Sequence, residues 1–97
     1  MPKMSVKQAI AVAKTFVVDV LADENPTNIG LEEVEFDDRE DNWLITIGFS
    51  RPWNSAAGPL AGLSAVRPER AYRVVTVSDA EGRAVAMKRR DEIEAHA

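Results

Sequence analysis

Carboxylates are the chemistry-bearing side chains that this sequence supplies most freely. Glu33, Glu35 and Asp37 alternate, so a strand would carry all three on one face, and Asp38 follows directly. Paired carboxylates suit general acid/base work when an apolar pocket pushes their pKa values apart. No enclosing segment surrounds these in the sequence. Asp37, Asp38, Glu40 and Asp41 would also attract a hard cation. Their spacing is not that of a calcium loop, because Arg39 takes an alternating ligand position and Asn42 stands where the glycine belongs. A charged hairpin turn accounts for them more simply.

Other catalytic groups are scarce. The chain has no cysteine, which removes a disulfide framework, a thiolate metal site and a cysteine nucleophile together. His96 is the one histidine and stands next to the last residue, a poor place to hold a general base in geometry. The run Gly58, Pro59, Leu60, Ala61, Gly62 has neither the spacing of a phosphate or dinucleotide loop nor its Lys-Ser/Thr ending. The hydroxyl residues have no basic partner pattern around them. The sequence therefore predicts a protein that is not an enzyme and takes no cofactor and no metal, with carboxylate-only catalysis as the alternative.

The elements that must position these residues follow from periodicity. Val6, Ala9, Ile10, Ala13, Phe16, Val17, Val20 and Leu21 recur at three- and four-residue steps, predicting an amphipathic helix over residues 6–22. Ser5 and Gln8 have the spacing of a capping box. Lys3 and Lys7 at the start, and Asp19, Asp23 and Glu24 at the end, oppose the helix dipole at a few tenths of a kcal/mol each. Burial of a large apolar side chain contributes about 1.5–3 kcal/mol, so packing wins.

Beyond Pro26 the period becomes two. Strands are predicted over residues 31–37, 42–50, 71–78 and 83–89, with turns at 38–41 and 79–82. Leu31 is out of phase with Val34, which calls for a bulge or a late strand start. Tyr72 and Val74 would face one way and Val75 and Val77 the other, as in a central strand covered on both sides. The basic end of residues 83–89 suits an edge strand.

The expected fold is α+β: one N-terminal helix on a four-stranded antiparallel meander, a single domain over residues 1–90, with a polar tail at 91–97. The expected core is Ile10, Phe16, Val17, Val20, Leu21, Val34, Phe36, Trp43, Ile45, Ile47, Phe49, Val74 and Val85. An alternative is a swapped dimer in which the hairpin from Tyr72 onward pairs with another copy.

Residues 51–70 fit this plan least. They join two strands through Pro52, Pro59 and Pro68, and carry Trp53, Leu60, Leu63 and Val66. Long connections in small domains are usually functional or disordered. Trp53 could staple this loop to the sheet or anchor a partner.

With 97 residues and 45% hydrophobic side chains the chain has the composition of a small globular domain. The apolar N-terminal stretch is broken by Lys14 and Asp19 and segregates to one face, so it reads as a helix and not a signal peptide. No run approaches the length of about 20 apolar residues that a membrane span needs. These features predict a cytoplasmic, unprocessed protein. The net charge of −4 disfavours nucleic acid. The charge is also unevenly placed: residues 19–41 hold ten of the sixteen acidic side chains, whereas residues 51–90 hold eight basic ones. Such polarity either solvates two neighbouring elements or selects a charged partner.

The segment Ala71, Tyr72, Arg73, Val74, Val75, Thr76, Val77, followed by Asp79, Ala80, Glu81, Gly82, Arg83, Ala84, Val85, resembles the closing hairpin of PepSY-like domains. The likeness is carried by residues 72–87, and more broadly by the cystatin-like plan of a helix cradled in an antiparallel sheet. The resemblance implies an association with peptidase regulation and usually a secreted or membrane-associated setting. This chain departs from it at residues 51–70 and in lacking a recognisable signal sequence. It implies no catalytic residue.

The functional expectation is a small binding or regulatory module with a protein partner, contacting it through Trp53, Leu60 and Leu63. A second reading is an immunity- or antitoxin-like protein whose acidic face, Glu33, Glu35, Asp37 and Asp38, masks a basic site. A homodimer is also expected. Leu44, Val75 and Val77 are assigned to the sheet face away from the helix, where an apolar patch needs covering, either by the long loop folding back or by a second copy that uses this face or the fourth-strand edge.

Overall fold

The computed structural model describes residues 2–51 and 70–90. Helix α1, Val6–Val20, is followed by a single 3-10 turn, Ala22–Glu24, and by strands β1 (Thr27–Asp37), β2 (Asn42–Ser50), β3 (Ala71–Ser78) and β4 (Arg83–Arg89). All neighbouring strands are antiparallel and the sheet order is β1-β2-β3-β4. The helix packs on one face of this meander. The α+β fold is the one that the change in hydrophobic period demands.

The helix starts where its capping signal places it. The Ser5 side chain accepts from the Gln8 N–H at 3.1 Å, and the Gln8 side chain accepts from the Ser5 N–H at 2.8 Å. Its buried seam is Ala9, Ala13, Val17 and Leu21, spaced by four. The two alanines have no exposed surface, so the first half of the helix approaches the sheet closely. Ile10, Val12 and Phe16 flank the seam, half-buried. Val20 differs from expectation: it is 52% exposed, because a seam spaced by four drifts about 40° per step and by Val17 and Leu21 has turned away from it.

On the sheet, Trp43, Ile45, Ile47 and Phe49 of β2 point at the helix and are buried. Val75 lies opposite Ile45, and Val77 opposite Trp43. Both valines are wholly buried in the core, so the expectation that they lie on the far face is incorrect. Val74, expected in the core, belongs to the far face, level with Thr46. Cross-strand pairing decides the matter: residues opposite one another share a face, and β2 has an unambiguous phase.

Two irregularities complete the sheet. In β1, Leu31 pairs with Ile47 and Glu33 with Thr46, leaving Glu32 as an extra residue. This bulge reconciles Leu31 with Val34. The strand also begins earlier than its hydrophobic pattern suggests, with Asn28 at a left-handed φ of 51° inside a further register shift. In β4, Thr76 pairs with Ala86 and Val77 with Ala84, so Val85 is the extra residue. It is 43% exposed and not the core residue expected.

One end of the core is closed by charge. Arg51 pairs with Glu24 at 3.1 Å, and the guanidinium groups of Arg51 and Arg73 lie 5.8 and 5.6 Å from the ring centre of buried Phe49. The other end is closed by Asp79. Its carboxylate accepts from the Lys3 N–H (2.6 Å), the Met4 N–H (2.9 Å) and Trp43 Nε1–H (3.1 Å). Its own N–H donates to the Asp41 carbonyl at 3.1 Å, tying the two turns together.

Candidate functional site: the outer face of the sheet

The face of the sheet turned away from the helix is built by alternation. With Trp43, Ile45 and Ile47 directed inward, Leu44, Thr46 and Gly48 must point outward. Pairing then defines rows across the four strands. One row is Glu33, Thr46, Val74 and Lys88; the next is Glu35, Leu44, Thr76 and Ala86. A third, at the turn end, is Asp37, Asn42, Ser78 and Arg83.

These rows give the face a polarity. Its β1 border carries carboxylates and its β4 border carries Lys88, with Arg83 held in its own turn by Glu81 at 3.0 Å. The two borders are separated by three strand spacings, about 14 Å. That is too far for direct pairing across the sheet. Between the borders lies a floor of Leu44, Thr46, Val74, Thr76 and Ala86. Floor and rims enclose a concavity of about 480 Å³ that Arg90 closes at one corner. The Thr46 hydroxyl lies 3.5 Å from Glu33 Oε1, a weak contact. Arg90 stacks over the Tyr72 ring at 5.3 Å. Further along, Glu32 and Arg70 pair at 3.5 Å across Gly48, where a Cβ would come within 2.8 Å of Glu32 Oε2.

Of the carboxylates singled out in the sequence, the fold brings Glu33 and Glu35 together on this rim, both exposed. Asp37 is drawn into its own turn, with Oδ1 accepting from the Arg39 N–H at 3.0 Å. Asp38 lies in that turn, beyond the strand. Trp53, Leu60 and Leu63 fall outside the described residues. No group of three His, Cys, Asp or Glu able to hold a metal occurs among the described residues. No helix among them is long and apolar enough to cross a membrane.

Lys88, Thr46, Val74 and Thr76 are the site residues that sequence reasoning passed over. Their individual types carry no signal. Only the register, which sets Lys88 in line with Glu33 through two intervening strands, brings them to one surface.

Asp79 is the described side chain whose ionisation the fold alters most visibly. Its carboxyl is held below its ordinary value of 3.8, chiefly by the Lys3 N–H and further by the Met4 N–H and Trp43, against a burial that would raise it. Its partners are two backbone donors and an indole in the core wall, so its role is structural.

No family model matches the chain, and neither a curated protein nor a solved structure matches it.

Proposed function

We propose that this chain is a non-catalytic binding module that engages a protein partner through the outer face of its sheet, in the cytoplasm. One observation carries the reading: an acidic border and a basic border flank an apolar and hydroxylic floor, in register along the same rows. Such a surface offers burial at its centre and charge selection at its rim, which is the usual division of labour in protein recognition. Glu33 and Glu35 stand exposed on the rim, a setting for pairing with cations more than for acid/base work. The cystatin-like and PepSY-like likeness of the helix-and-meander layout belongs to this reading and brings no partner with it.

The alternative is an immunity- or antitoxin-like protein that uses the acidic border alone, which the alignment of Glu33 and Glu35 on one strand favours. Affinity capture from the native host separates the two. The baits are wild type, Glu33→Gln/Glu35→Gln, Lys88→Gln and, on the helix side, Val20→Ser. Loss of the recovered partner with each of the two rim changes, but not with Val20→Ser, supports the two-border surface. Loss with the carboxylate change alone supports the acidic-border reading. Recovery unaltered by both rim changes overturns both.

A further inference from the structure

We infer that the outer face seats a second copy of this chain, related by a two-fold axis parallel to the strands, with Glu33 of each copy against Lys88 of the other. This rests on the reading of that face as the binding surface and names its occupant.

The argument is geometric. Glu33 and Lys88 end the same row, joined through Thr46 and Val74. A two-fold rotation about an axis parallel to the strands exchanges the left and right borders of a stacked sheet and keeps each row at its own level. The acidic border of one copy then lies over the basic border of the other, twice. A two-fold axis running across the strands would instead set carboxylates against carboxylates. Charge therefore selects one of the two in-plane axes.

Reach and polarity agree with this arrangement. Facing sheets pack about 10 Å apart, a gap that a glutamate and a lysine extended toward each other can close. Among the described residues, Lys88 has no ion pair or hydrogen bond, and Glu33 has only the weak contact from Thr46. Nearer the axis, Leu44 of each copy would face Thr76 of the other and Thr46 would face Val74, while Ala86 would lie under Glu35. A face four strands wide and about eight residues long covers on the order of 500 Å² per copy, near the lower limit for a specific interface. The expected dimer is accordingly weak, with a Kd in the micromolar range or somewhat above, and weakens further with salt.

Sedimentation velocity of the full chain, from about 10 μM to 1 mM, tests the inference. Wild type is expected to form dimers in this range. Glu33→Lys and Lys88→Glu, each alone, oppose like charges at both contacts and should weaken association about tenfold or more. Both positions are exposed, so circular dichroism should be unchanged. An equimolar mixture of the two variants should recover association to within about threefold of wild type, because every contact is then Lys against Glu. Wild type that stays monomeric, assemblies larger than dimers, or variants that associate like wild type would each overturn the inference. A monomeric wild type leaves the broader reading to the affinity capture, which tests it independently.

Discussion

Trp43 Nε1–H donates to Asp79 Oδ1 at 3.1 Å, linking the wall of the core to the hairpin turn between β3 and β4. The same carboxylate holds the Lys3 and Met4 amides, so one side chain fixes the approach to helix α1, strand β2 and the β3–β4 turn relative to one another. Asp79→Ala leaves three donors without their acceptor. It is expected to lower the Tm, and Asp79→Asn, which keeps one carbonyl acceptor, should lower it less. Thermal unfolding followed by far-ultraviolet circular dichroism distinguishes the two.

The same carboxylate makes stability depend on pH. Its folded pKa lies below its ordinary value of 3.8, so the unfolded chain takes up the proton first as the solution is acidified. The contribution is therefore complete above that value and lost as pH falls through the lower, folded one. Urea midpoints of wild type and Asp79→Asn should differ at neutral pH, begin to converge below about pH 3.8 and meet once pH has fallen through the folded value. A difference that persists at lower pH would contradict the assignment.

The alanine seam limits what the helix can carry. Ala13 has no exposed surface against the sheet, so Ala13→Leu forces the helix outward and is expected to cost about 1–3 kcal/mol. Val20→Ala, on the solvent side, should change stability by no more than about 0.5 kcal/mol. Chemical denaturation of both variants checks the helix orientation directly.

The face assignment of β3 and β4 has its own test. Val75→Ala opens space in the core and should cost about 2 kcal/mol, whereas Val85→Ala, at the bulge, should cost about 0.5 kcal/mol or less. The reverse order would mean that the sheet is inverted relative to the helix.

Ser5→Ala removes one half of the capping box and should destabilise the protein by about 1 kcal/mol. Ser5→Asp is expected to retain the cap, and it also adds a negative charge at an N-terminus that lacks acidic residues in its first turn. Comparing their urea midpoints with that of wild type separates the two effects.

By itself, the sequence determined the helix, its cap, four strands, their meander order and the phase of β2, because each depends on local periodicity or on a short turn. In β2 one alternate set is uniformly bulky and apolar, so its inward face is legible. The tertiary structure alone decided the phase of β3, where Tyr72 and Val74 compete with Val75 and Val77, since a two-residue period cannot rank two apolar faces. Pairing Val75 with Ile45 and Val77 with Trp43 settled it. The same holds for the helix seam: several apolar stripes overlap between Val6 and Leu21, and contact with the sheet chose the one carrying Ala9 and Ala13. Bulges that place Glu32 and Val85 out of register are likewise set by partner strands. Asp79 reads locally as an ordinary turn residue, and its acceptor role exists only because Lys3, Met4 and Trp43 converge on it from distant parts of the chain. Glu33 and Lys88 stand far apart in sequence and share a row only through three antiparallel pairings, a relation that no local pattern encodes.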